Sequence, residues 1–297
     1  MFENKYDNCR LCARLCKVDR RATSGFCKMS TAPVISRAAL HHWEEPPISG
    51  TRGSGTIFFT GCSLGCIFCQ NRHISSGEHG REVTEERLAE IMLELQAKGA
   101  HNINLVTPTH FVPTIKSAID TARGRGLKLP IVYNTGSYDT EETIDSLDGY
   151  VNIYLPDFKY FLSRTAKKFS FAEDYPTVAK AAIDKMVGQV GAPKFDFDGI
   201  MQSGVIVRIL LLPGHVAEAK LSLKYLLDTY GDKIYVSLMN QYTPMEGMEK
   251  PLDRRVSREE YKSLVEYADK IGLKNGFTQE FGTAKESFIP AFDLTGV

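Results

Sequence analysis

Two hydrophobic periods alternate along the chain. Short runs rich in β-branched and aromatic residues are separated by longer stretches in which apolar side chains recur every three to four positions. Residues 55–60 (GTIFFT) read as a strand. Over 84–98, Leu88, Ile91, Met92 and Leu95 share one helical face, with Thr84 as N-cap and Gly99 as the stop. Further strands are expected over 102–106, 130–134, 150–155, 204–212 and 233–239, with a last short one near 276–280. Helices are expected over 112–123, just after Asp139, and over 172–190, 216–229 and 257–271. This alternation predicts parallel strands joined by crossover helices. The fold class is therefore α/β, and about six or seven units suggest a partial (β/α) barrel, not a closed eight-fold one. In such folds functional side chains sit on loops at the C-terminal ends of strands.

Residues 1–54 stand apart as a cysteine-rich N-terminal segment and connector, and 55–297 as the barrel. The connector from residue 31 contains WEEPPISGTRGSG, whose Pro and Gly argue against regular structure.

Composition narrows the function. With 36 Lys plus Arg against 36 Asp plus Glu, the formal net charge is zero, so no nucleic-acid partner is expected. No apolar run is long enough to span a bilayer and the N-terminus has no signal-peptide pattern, so a cytoplasmic location without a membrane partner is expected. All seven cysteines precede residue 70. An odd count in two tight groups points to metal ligation, not to a disulfide scaffold.

The second group is Cys62, Cys66 and Cys69, spaced C-x3-C-x2-C directly after the 55–60 strand. Three thiolates this close can hold three irons of a cubane cluster. With no fourth cysteine, one iron stays open for a ligand. A structural zinc site completed by His73 is the alternative.

This spacing, with aromatic Phe68 before the last cysteine, resembles the signature of the radical S-adenosylmethionine (SAM) superfamily. The resemblance extends over 44–71, 102–115, 132–160, 207–215, 237–244 and 277–290. Within the superfamily these segments resemble a branch named after pyruvate formate-lyase activating enzymes. It implies a [4Fe–4S] cluster whose open iron is chelated by SAM, and reductive cleavage of SAM to a 5′-deoxyadenosyl radical. The implied partners are a reductant such as flavodoxin or ferredoxin and a protein or small-molecule substrate. Phe68 would lie near the adenine. A Gly-Gly-Glu segment of the activases is replaced here by Thr107-Pro108-Thr109-His110. Thr107, Thr109 or His110 would then contact SAM, although His110 can also read as a cap on the next helix. Asn134 and Ser137 are candidates for the SAM carboxylate or ribose, or simply form a turn. Asp157 and Lys159 resemble the activases' Asp-x-Lys motif; their alternative is a surface ion pair.

Arg208 interrupts a strongly apolar strand, so it needs a partner. It would reach SAM or pair with Asp157. His215 closes that strand and is a further catalytic candidate. Gln279 and Glu280 end the last strand, either lining the substrate side or capping the barrel. Trp43, Glu44 and Glu45 have no assigned role.

Cys9, Cys12, Cys16 and Cys27 place four donors within the N-terminal tail. Such a set makes a closed site for zinc or for a second [4Fe–4S] cluster. Two rival functions remain: an iron–sulfur electron carrier or cluster carrier without SAM chemistry, and a zinc-dependent interaction module.

Overall fold

The structure is a computed structural model that describes residues 6–280 and 290–297. Its strands are β1 (Val34–His41), β2 (Ser54–Phe59), β3 (Arg81–Glu82), β4 (Ile103–Val106), β5 (Ile131–Thr135), β6 (Ile153–Pro156), β7 (Lys194–Phe195), β8 (Met201–Leu210), β9 (Tyr235–Met239) and β10 (Gly276–Thr278). They form one sheet in the order β10-β9-β8-β6-β5-β4-β2-β1-β3, with β7 pairing on β8. Every neighbour pair from β2 to β10 is parallel. β1 runs antiparallel to β2, and β3 antiparallel to β1. Among the described residues the strand path runs from end to end without closing.

The principal helices between successive parallel strands are α3 (Glu85–Ala97), α4 (Val112–Gly124), α5 (Glu141–Asp145), α7 (Tyr175–Val190), α8 (Val216–Tyr230) and α9 (Arg258–Lys270). Three smaller helices are α1 (Pro46–Ser49), α2 (Arg72–Ser75) and α6 (Ser163–Ser170). Local chemistry starts several of them. Thr84 and Thr140 accept the Arg87 and Thr143 amides, and Ser257 with Glu260 forms a full capping box on α9. α3 buries Leu88, Ala89, Ile91, Met92 and Leu95 against the sheet, the stripe its sequence predicts.

The connector differs from expectation. Residues 34–41 form β1, with Ile35 and Ala38 buried, and Pro46 opens α1. Proline is compatible with the first helical turn, so it starts α1 where it was expected to break structure. Ile48 of α1 joins a separate apolar cluster with Val132, Ile153, Leu155, Met201 and Ile206, while the main core fills the helix side. The parallel strands are thus covered on both faces, as their unbroken apolar runs require. α6 was not expected either. Its N-terminus is capped from afar: Glu218 of α8 accepts the Phe161 and Leu162 amides at 3.0 and 2.9 Å and the Thr165 hydroxyl at 2.8 Å.

No helix of the described residues is long and apolar enough to cross a membrane. Part of the 277–290 stretch, including residues 287–289, and residues 1–5 of the N-terminal segment lie outside the described residues.

Candidate active site

The C-terminal ends of the parallel strands gather the side chains singled out above. The 61–69 loop leaves β2 at Gly61, whose left-handed backbone (φ 85°) sets the turn. A Cβ there would come within 2.7 Å of the Cys27 carbonyl oxygen, so glycine is required by space as well. A cavity of about 160 Å³ is walled by the thiols of Cys62, Cys66 and Cys69. Burial pushes the Cys62 thiol up to about 12, and the neighbouring Cys66 and Cys69 add to it. The three groups are therefore close enough for a charge on one to act on another. Hydrogen bonds already point at sulfur: the Leu64 amide lies 3.4 Å from Cys62 Sγ, and the Ser170 hydroxyl 2.9 Å from Cys66 Sγ.

A second cavity of about 220 Å³ adjoins the first. Cys66, Cys69, Asn134, Asp157, Lys159 and Arg208 line both. Arg208 of β8 pairs with Asp157 through Nε at 2.8 Å and with Glu44 through Nη1 at 3.3 Å, and it also donates to Asn134 Oδ1. Lys159 Nζ meets the other Asp157 oxygen at 2.6 Å. Asn104 donates to the second oxygen of Glu44 at 3.0 Å. The Asp157–Lys159 pair is thus a cavity-wall pair, with both side chains under one-fifth exposed. Burial raises Asp157, but Arg208 and Lys159 more than reverse this and hold it below its ordinary value. Glu44 and Glu45 are pushed up by burial, with Arg208 opposing. Three carboxylates act on Arg208, and Asp157, which also pairs with Lys159, keeps its charge most firmly.

The loops after β4 and β5 complete the rim. Thr107 adopts a left-handed backbone (φ 58°), costly for a β-branched residue, and its amide is held by the Asn134 carbonyl at 2.8 Å. Thr109 also lines the smaller cavity, but its hydroxyl is donated to the buried Asp139 at 2.7 Å. Tyr133 and Thr135 donate to the same carboxylate. Phe68 lies in a nest of Tyr160, Phe169 and Tyr242 and lines the larger cavity.

Three candidates lie off both cavities. His110 is buried, bonds the Thr60 carbonyl at 2.7 Å, and is held neutral by burial, its value lowered to about 3. Ser137 is buried behind the rim with no partner for its hydroxyl among the described residues. His215 packs on Phe169 and faces Glu218 at 3.4 Å. Gln279 is one step removed, bonding Gln241, which lines the larger cavity. Of the three residues that sequence reasoning left without a role, Trp43 and Glu44 line that cavity, and Glu45 does not.

Residues 56–219, more than half of the chain, match the model of the Radical SAM superfamily. The chain belongs to the radical SAM superfamily. Over 282 residues it is 28% identical to an uncharacterised protein of Methanocaldococcus jannaschii, covering 91% of this chain and 77% of that one. Its fold is similar to Streptococcus suis SuiB bound to S-adenosylmethionine (TM-score 0.51, 12% identity, 74% of this chain and 48% of that one). It is equally similar to the FeFe-hydrogenase maturase HydG from Carboxydothermus hydrogenoformans (TM-score 0.51, 12% identity, 79% and 59%). The chain thus spans about half the length of these solved structures.

Superfamily membership implies an enzyme that uses a [4Fe–4S] cluster and SAM. The donor set of this radical SAM protein fits that group: three neighbouring thiols, donors aimed at two sulfurs, and a cavity between them. As they stand, no three His, Cys, Asp or Glu side chains among the described residues converge on a single metal-binding point. The thiols instead line the cavity wall.

The N-terminal cysteines form a second group. Burial raises the Cys12 and Cys27 thiols, and the neighbouring Cys9 and Cys16 push both further in the same direction. Arg20 is buried beside them, with Nη1 4.0 Å from Cys9 Sγ. All seven cysteines are free.

Proposed function

We propose that the protein is a SAM-cleaving enzyme in which Cys62, Cys66 and Cys69 would hold a [4Fe–4S] cluster. The observation that carries this reading is the pair of adjoining cavities, one walled by all three thiols and the other by the Glu44–Arg208–Asp157–Lys159 network. When bound, the cluster and SAM supply reductive cleavage to a 5′-deoxyadenosyl radical. The chain's own residues bind, orient and exclude water. The Leu64 amide and Ser170 hydroxyl stabilise thiolate charge on Cys62 and Cys66. Phe68 offers an aromatic wall for the adenine. Arg208 and Lys159, fixed by Asp157, present cationic groups suited to a carboxylate. Thr107 and Asn134 supply polar groups at the rim. The larger cavity, with Glu44, Gln70, Asn71 and Gln241 on its wall, takes the substrate.

The finer assignment rests on the sequence resemblance: a glycyl-radical protein as substrate, a flavodoxin or ferredoxin as reductant, and the parallel strands as a partial barrel. Cys9, Cys12, Cys16 and Cys27 hold a second centre, zinc or [4Fe–4S].

Anaerobic reconstitution tests the central claim. The protein should be brown, carry about four irons per occupied cluster, and release 5′-deoxyadenosine from SAM with a chemical reductant. Replacing Cys62, Cys66 and Cys69 by Ala should abolish release. A brown protein that leaves SAM intact would indicate an electron carrier, and a colourless zinc protein would sink the proposal.

A further inference from the structure

Arg14 lies between Cys12 and Cys16, yet its guanidinium is spent on another part of the molecule. Nε donates to the Ser63 carbonyl at 2.8 Å. Nη2 donates to Leu64 at 2.8 Å and Ser170 at 2.9 Å, and Nη1 to Phe171 at 2.5 Å. Ser63 and Leu64 lie between Cys62 and Cys66, and Ser170 is the residue whose hydroxyl bonds Cys66 Sγ. One planar fork thus fixes both segments that hold sulfur.

The fork is itself held from the N-terminal side. The Phe26 ring lies 3.9 Å from its carbon, and the Phe26 amide bonds Cys16 Sγ at 3.3 Å. The contact between the two cysteine regions is close along its length. A Cβ at Gly65 would come within 3.2 Å of Phe26, and one at Gly61 within 2.6 Å of Met29.

Residues 6–30 build little apolar core of their own, although Cys27 and Met29 join the main core. Their separate apolar cluster comprises Tyr6, Cys9 and Leu11, with Val18 beside it. So small a segment needs a cross-link, and with all cysteines free a tetrathiolate metal centre is the cross-link its composition provides.

We infer that a metal centre at Cys9, Cys12, Cys16 and Cys27 organises Arg14, and that Arg14 clamps the central cysteine loop, so occupancy of the first site governs retention of the cluster at the second. This rests on the assignment of the central cluster proposed above. Arg14 is a positioning residue and touches neither substrate nor cluster atoms.

The experiment follows loss of the central cluster from visible absorbance and from the electron paramagnetic resonance signal of the reduced protein, under a chelator and without SAM. Arg14→Ala and Cys12→Ser should each shorten the cluster half-life about ten-fold. The double variant should be no worse than Cys12→Ser alone, because the two changes break one linkage. Arg14→Lys should not rescue, since one ammonium cannot span four carbonyls. If Arg14→Ala fails to fold, Arg14→Gln and Arg14→Lys are read in its place. The Cys62/Cys66/Cys69→Ala variant reports the N-terminal metal alone: iron and sulfide mean a cluster, zinc means a zinc site, and neither metal overturns the inference. A wild-type half-life in the Arg14 variants, or losses that multiply in the double variant, also overturns it. Wild-type protein that holds its cluster without cleaving SAM would sink the proposed reaction alone.

Discussion

Arg208 sits in the apolar second half of β8, and its surroundings show why the strand tolerates it. Asp157, Glu44 and Asn134 take its donors from three different loops and strands. Removing the guanidinium would leave Asp157 with Lys159 alone and Glu44 with only Asn104. Arg208→Ala should therefore destabilise the protein by about 3 kcal/mol in urea denaturation, the usual cost of breaking a buried pair from one side. Arg208→Lys should recover only part of this, because an ammonium cannot serve three partners in a plane. A loss below about 0.5 kcal/mol would show that the network does not hold the cavity wall. Arg208 was legible because a charge in an apolar run demands a partner, and Asp157 and Lys159 were legible through their resemblance to the activases' Asp-x-Lys motif at a strand end. Glu44 carried no such signal. It lies in a Pro- and Gly-rich stretch, and its partner is 164 positions away. Only the pairing of β1 with β2 brings it to the cavity.

The elements themselves were mostly readable, since each core strand and long helix carries its own period. The exceptions depend on distant partners. β1 is short in strong apolar residues and is stabilised by antiparallel pairing to β2, and α6 takes its N-terminal cap from Glu218. A similar long-range tie joins α9 to the loop after β8. Glu260 accepts two bonds from Arg254, at 2.7 and 2.8 Å, one from the Ser257 amide and one from the Gly214 amide. The Arg254 bonds pull its carboxyl down to about 2, against burial, with the two amides assisting. Because the folded value lies below the ordinary value of 4.5, this stabilisation is complete above that pH and is lost as pH falls toward 2. Glu260→Ala should lower stability at neutral pH by about 1–2 kcal/mol. It should also flatten the acid limb of the stability–pH curve in that window. An unchanged acid limb in the variant would assign the acid sensitivity to other carboxylates.

At the scale of the whole molecule, the question is whether the cysteine-rich N-terminus is a separate domain or a wall of the active site. Its sequence suggests separateness, because four cysteines and a cluster of basic residues precede any strong apolar period. Its packing argues for a wall. Cys27 and Met29 belong to the main core, Tyr6 bonds Thr114 of α4 at 2.8 Å, and the Ala13 amide bonds the Tyr138 carbonyl at 3.1 Å. Arg20 reaches the carbonyl of His110, whose ring bonds Thr60 beside the cysteine loop. Deleting residues 1–30 would therefore uncover Gly61, Leu64 and His110 and strip four bonds from the loop and its neighbour. The truncated chain should lose its sharp cooperative unfolding or fail to retain iron, while an isolated 1–30 peptide without metal should show no fixed structure by circular dichroism. A truncated protein that unfolds as cooperatively as the full chain and keeps its cluster would make the segment an appendage. The physical argument favours the wall, because the backbone at Gly61 has room for no side chain precisely where the N-terminal segment presses against it.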